Sequence, residues 1–159
     1  MDFDVLIRVL RALEAHGVQY AVFGAVALNL HGFARMTEDL DVFVQADAGN
    51  VARLRAALTS VVADPAIAEI TADDLGGDYP AVQYVPPDGS FQIDIVARLG
   101  EMDRFEDLET ERVPVDDFMV TVVTPEMLYR MKKDTVREKD RMDAEVLRRR
   151  FGFIDKKGE

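Results

Sequence analysis

Residues 23–44 read FGAVALNLHGFARMTEDLDVFV, and the order of residue types along this stretch decides what kind of fold the chain adopts. The segment begins at the end of residues 18–23 (VQYAVF), whose β-branched and aromatic side chains predict a buried strand. Gly24 ends that strand, AVALNLHG predicts a short helix closing near Gly32, FARMTE predicts a loop, and LDVFV (40–44) predicts a second strand. At the strand-to-helix junction the missing Cβ of Gly24 lets backbone N–H groups approach an anion, and a helix N-terminus favours negative charge. Arg35 and Thr37 then place a guanidinium and a hydroxyl just ahead of Asp39-Leu40-Asp41. Arginine matches phosphate oxygens in geometry and charge. Alternation along a strand puts Asp39 and Asp41 on one face, where two carboxylates repel unless a divalent cation joins them.

The acidic pair alone decides little. The chain holds 19 Asp among 159 residues, so roughly two Asp-x-Asp pairs arise by chance, and Asp2-Phe3-Asp4 is another. Read alone, the pair is a solvated strand end as readily as a metal site. The sequence of features before it, an anion cradle and then a phosphate clamp, favours the metal reading.

Outward from this stretch, Asp2 or Asp4 caps a first helix with Leu6, Val9, Leu10 and Leu13 at helical spacing and Gly17 as its stop. Asn50 opens an amphipathic helix with Val51, Leu54, Leu58 and Val61 on one face. AIAEIT (66–71) reads as a strand and DDLGGDYP (73–80) as a loop. AVQYV and FQIDIVA flank PPDGS and predict a β-hairpin. Residues 101–117 receive no assignment. FMVTVV (118–123) predicts a further strand, and Pro125 starts a long helix reaching about Arg149. The expectation is a single α/β (α+β) domain over 1–159, a mixed sheet flanked by helices, with a core over 1–124 and a C-terminal helix over 125–150.

Composition narrows the function classes. Hydrophobic residues make up 48% of the chain and the mean hydropathy is −0.06, values of a globular chain. No apolar run approaches the roughly 20 residues of a membrane helix, and the N-terminus lacks the pattern of a signal peptide. The absence of cysteine excludes disulfides and thiolate metal sites. A cytoplasmic protein without membrane contact is expected. The net charge of −11 is unevenly spread, at −14 over residues 1–124 and +3 over 125–159. The acidic body repels nucleic acid over most of its surface and leaves only the C-terminal segment for its approach. His16 and His31 lack zinc spacing and read as helix-end residues.

FGAVALNLHGFARMTEDLDVFV resembles the signature of the DNA polymerase β-like nucleotidyltransferase superfamily, and among its members the small bacterial AbiEii-type and minimal nucleotidyltransferases. Gly24, Gly32, Arg35, Thr37, Asp39 and Asp41 match the pattern, and the resemblance covers most of residues 18–150. It implies a third carboxylate on an adjacent strand, which Asp94 in FQIDIVA supplies; an acid flanked by isoleucines in a strand needs something to pair with it. It also implies that PEMLYRMKKDTVREKDRMDAEVLRRR (125–150) carries a lysine for the nucleotide phosphates. Lys132 is the better-placed candidate beside Lys133, and Arg137, Lys139, Asp140 and Asp143 stand at further matching places. For Lys139, Asp140 and Asp143 the residues themselves read equally as a solvated helix laced by i,i+4 ion pairs.

The activity so implied is Mg²⁺-dependent transfer of a nucleoside monophosphate from a nucleoside triphosphate to an acceptor hydroxyl, with release of pyrophosphate. Two Mg²⁺ ions would lie on Asp39, Asp41 and Asp94, and the triphosphate on Gly24, Ala25, Arg35, Thr37 and Lys132. The acceptor would be a protein side chain, as in toxin–antitoxin pairs, a small hydroxylated molecule such as an aminoglycoside in a resistance system, or a tRNA end. Ala25 departs from the pattern, which has Gly or Ser there, so a serine hydroxyl to phosphate is lost. The alternative is therefore a weak or inactive nucleotidyltransferase-like binding or regulatory protein. Either a second copy of the chain, or a partner protein, completes the cleft through the C-terminal helix and its Arg148-Arg149-Arg150 end, or the chain is a monomer with an open site and a solvated arginine cluster.

Overall fold

The computed structural model describes residues 1–99, 104–133 and 135–154. Six strands form one mixed sheet: β1 (Tyr20–Phe23), β2 (Leu40–Val44), β3 (Ala81–Tyr84), β4 (Ile93–Val96), β5 (Thr110–Val115) and β6 (Phe118–Val123), in the order β3-β4-β2-β1-β6-β5. Both hairpin partners, β3–β4 and β5–β6, pair antiparallel, as do β1 and β2, whereas β2–β4 and β1–β6 run parallel. Around the sheet lie α1 (Phe3–Ala15), α2 (Gly24–Leu30), α3 (Ala48–Val61), α4 (Ala72–Gly76), α5 (Pro125–Lys132) and α6 (Glu138–Phe151).

The elements follow from local chemistry. Asp2 caps α1 by accepting the Asp4 N–H, and Leu6, Val9, Leu10 and Leu13 line its buried face. That face packs on α3 and β6. In β2 the alternate residues Leu40, Val42 and Val44 are buried, and in β4 so are Ile93 and Ile95. Their burial fixes the register, since a slip by one residue would turn the acids inward and the aliphatics outward. In the hairpin loop, Gly89 at φ +67° donates its N–H to the Pro86 carbonyl, and Asp88 accepts from Ser90 N–H.

Four expectations are corrected. AIAEIT is not a strand: Asp64 caps a 3₁₀ turn over Pro65–Glu69, because proline supplies the first turn and its missing N–H needs no partner there. Within DDLGGDYP, Thr71 caps the short α4. The helix assigned to Asn50 starts earlier, at Ala48, with Asp47 as its cap. Asn50 instead is buried, accepting from Gln19 N–H at 2.7 Å and donating to the Gln19 and Gln45 carbonyls at 3.0 and 2.8 Å. Finally, the long helix from Pro125 is two helices. Thr135 turns its hydroxyl to the Lys132 carbonyl (3.3 Å) and to Asp140 (3.1 Å), and Arg137 is extended before α6 begins. A side chain that takes a helix carbonyl competes with the helix ladder. Of the unassigned residues 101–117, 104–117 contain a 3₁₀ turn (Phe105–Asp107) and β5; residues 101–103 lie outside those described.

Candidate active site

The parallel pairing of β2 with β4 sets Asp41 directly beside Asp94, with Leu40 beside Ile93 and Val42 beside Ile95. Asp39 stands two residues before Asp41 on the same strand face, where the Leu40 N–H donates to the Gln92 carbonyl at 2.8 Å. The three half-buried carboxylates each offer an oxygen, all within 4.8 Å of one another. On Asp94, Oδ1 also accepts from Gln83 Nε2 (3.2 Å) and Gln92 Nε2 (3.4 Å), which orients that carboxylate from both its own strand and β3.

The electrostatics of the cluster follow from this crowding. Asp41 is pushed up to about 7, by burial first and then by the charges of Asp39 and Asp94; Lys132 and Arg137 work against this rise. Asp39 is raised as well, by burial first and then by a hydrogen bond to and the charge of Asp94, with Lys139 opposing. A group of acids that holds its protons this strongly has a shortage of positive charge at its centre. A divalent cation fits that shortage: hard oxygen donors, converging and mutually repelling, are the donor set such an ion takes.

Gly24 stands at the other edge of the cluster. Its φ is +69°, and a Cβ at that position would overlap the Asp41 carboxylate. Both the backbone and the space therefore call for glycine. Gly24 and Ala25 form the first turn of α2, and Ala25 is half-buried. At the far end of α2, Asn29 Oδ1 accepts from Arg35 N–H (2.9 Å), which pins the loop that carries Arg35 and Thr37 to the end of that helix. Thr37 is half-buried in that loop.

The cations of the site are held by acids of α6. Lys132 is buried, and its ammonium donates to Asp140 Oδ1 and Asp143 Oδ2, both at 3.1 Å. Arg35 turns to Asp143, with Nη2 at 3.0 Å from Oδ1. That approach lies outside hydrogen-bond geometry, so Arg35 Nε and Nη2 are buried without a hydrogen bond among the described residues. Asp143 is thus no member of a solvated helix: its side chain is 5% exposed. The signal was present in the sequence, since Asp140, Asp143, Ala144 and Leu147 share one helical face and the last three of them are buried. The arginine end of α6 is engaged within the chain, with Arg148 and Arg149 on Glu145 and Arg150 over the Phe33 ring at 5.3 Å. His31, placed at a helix end by sequence, is the C-cap of α2 and hydrogen-bonds the Val123 carbonyl at 2.8 Å.

Similar solved structures share this architecture. A Thermotoga maritima protein, provisionally described as a nucleotidyltransferase, superposes with a TM-score of 0.57 at 14% identity, over 94% of this chain and 91% of that one. An antigenic nucleotidyltransferase-like protein from Paracoccidioides brasiliensis gives 0.52 at 16% identity, over 90% and 74%. At such identities the likeness is one of fold. No curated protein matches the sequence. No helix among the described residues is long and apolar enough to cross a membrane. The model of the family described as "Nucleotidyl transferase AbiEii toxin, Type IV TA system" matches residues 8–148. With nearly the whole described chain inside that match, the protein belongs to the AbiEii nucleotidyl transferase toxin family of type IV toxin–antitoxin systems.

Proposed function

We propose that the protein transfers a nucleoside monophosphate from a nucleoside triphosphate to an acceptor hydroxyl, using Mg²⁺ bound by Asp39, Asp41 and Asp94. The observation that carries this reading is the convergence of three carboxylate oxygens within 4.8 Å, beside a glycine whose Cβ position the Asp41 carboxylate occupies. The bound metal would neutralise the charge that builds on the phosphates and on the attacking oxygen.

The chain's own residues divide the remaining work. Asp41 and Asp94, in register on adjacent strands, would hold the metal from two sides, and the glutamines on Asp94 keep its second oxygen directed. Backbone N–H groups of Gly24 and Ala25 would face phosphate oxygens, with Thr37 at the edge of the same space. Lys132 and Arg35 would offset the triphosphate's charge and hold it in line for displacement. In the transfer, the acceptor oxygen bonds to the α-phosphorus, the α–β anhydride bond breaks, and pyrophosphate and a proton leave.

The acceptor is a protein side chain, a small hydroxylated molecule or a tRNA end. The −14 charge of residues 1–124 favours a cationic small molecule or a protein over RNA. Calorimetric titration of the four nucleoside triphosphates, with and without Mg²⁺, tests the reading. Binding that depends on Mg²⁺ and disappears in Asp41→Asn is expected; equal binding without metal, untouched by that substitution, would sink it.

A further inference from the structure

We propose that Asp143 is a positioning residue that draws Lys132 and Arg35 together into a single polyphosphate-binding unit, with Asp140 assisting on Lys132. This rests on the nucleotide-transfer reading above and adds a role for two acids that touch neither metal nor nucleotide.

The two cations come from unrelated parts of the chain, Lys132 from the last turn of α5 and Arg35 from the loop before β2. Both are long, flexible side chains, and holding each in one rotamer costs conformational entropy. One carboxylate meets both: Asp143 Oδ2 takes the Lys132 ammonium at 3.1 Å and Oδ1 faces Arg35 Nη2 at 3.0 Å. Asp143 itself is fixed by burial on α6, next to Ala144 and Leu147. A carboxylate this buried needs opposite charge beside it, and Lys132 and Arg35 supply it, one to each oxygen.

The arrangement leaves donors without a hydrogen bond. An ammonium has three protons, and the bonds to Asp140 and Asp143 commit two of those on Lys132. Arg35 Nε and Nη2 are buried and make no hydrogen bond among the described residues, a condition proteins avoid unless a ligand completes it. Arg35 stands four residues before Asp39, on the loop that leads into β2, so this unit is tied to the strand that carries the acid cluster. Asp143 and Asp140 cancel the resting charge of the two cations; the free donors supply geometry for phosphate oxygens rather than a surplus of charge.

The test uses inorganic tripolyphosphate, which carries the phosphates without a base, and Mn²⁺ alone as a probe of the acid cluster by electron paramagnetic resonance. In Asp143→Asn, Mn²⁺ binding should stay within about twofold of the parent while tripolyphosphate binding in Mg²⁺ weakens roughly tenfold or more, the scale of a lost charge-assisted hydrogen bond. In a Lys132→Ala background the same substitution should add less, because only the part of its effect that passes through Arg35 remains. Should Asp143→Asn fail to fold, Asp140→Asn carries the test, with a loss of several-fold expected since one bond to Lys132 survives. Additive losses in the double variant, unchanged affinity in a folded single variant, or tighter binding once the acid is gone would each overturn the positioning role. A parent protein that binds neither probe would overturn the nucleotide-transfer reading along with it.

Discussion

The Asp41 carboxylate lies where a side chain on Gly24 would begin. This one relationship joins the end of β1 to the middle of β2 and makes glycine at position 24 a requirement of the acid cluster rather than of the turn alone. Replacing Gly24 with Ala would force a Cβ into the left-handed region at φ +69° and into that carboxylate. A destabilisation of about 2–3 kcal/mol is expected from strain and displacement together, read by chemical denaturation. An alanine variant as stable as the parent, with unchanged divalent-cation affinity, would show that the contact has no consequence.

Asp41 gives the clearest pH dependence. Its folded-state value of about 7 lies above the ordinary carboxyl value of about 3.9, so the folded protein binds the proton more tightly than the unfolded chain. That stabilisation is complete below about pH 4 and is lost as pH rises through 7. Without divalent metal, Asp41→Asn should therefore raise the melting temperature above pH 7 and flatten its dependence between pH 4 and 7. Mg²⁺ should raise the melting temperature of the parent and leave the variant unmoved. Thermal unfolding followed by circular dichroism across this range checks both parts.

Ala25 follows Gly24 in the first turn of α2. A serine there adds one hydroxyl that can donate to a phosphate oxygen. Ala25→Ser should tighten Mg²⁺-dependent triphosphate binding by about 1 kcal/mol, close to fivefold. Calorimetry with the parent and variant side by side reads the change; weaker binding would mean that the hydroxyl collides with the bound phosphates.

Asn50 is fully buried and satisfies three backbone groups, the N–H and carbonyl of Gln19 and the carbonyl of Gln45. These lie side by side at one end of the antiparallel β1–β2 pair, so the side chain ties both strands to α3. Asn50→Ala would remove the partner of the Gln19 N–H and of the Gln45 carbonyl, and one of the two partners of the Gln19 carbonyl. A loss of about 2–4 kcal/mol is expected by urea denaturation, with the acid cluster's Mn²⁺ affinity retained in the fraction that stays folded.

Much of the site was legible because strand alternation and strand order are local properties. Asp39 and Asp41 share a face by period two, and Ile93 and Ile95 fix which way Asp94 points. The places where reading failed share one physical cause, a side chain that overrides a local pattern. Thr135 ends a helix whose periodicity continues past it, and Pro65 with Asp64 winds a 3₁₀ turn from residues that read as a strand. Asn50 carries the composition of a cap, and its side chain is taken instead by backbone groups 31 residues earlier.

The sequence by itself determined the strands that carry the acids, the faces those acids occupy and the glycine that opens α2, because each depends on neighbours within a few residues. Only the tertiary structure decided the partners of Lys132 and Arg35. Asp143 lies 11 residues beyond one and on a helix remote in sequence from the other. Its burial depends on α6 packing against α5, and a buried charge takes whatever opposite charges the packing brings within reach, irrespective of distance along the chain.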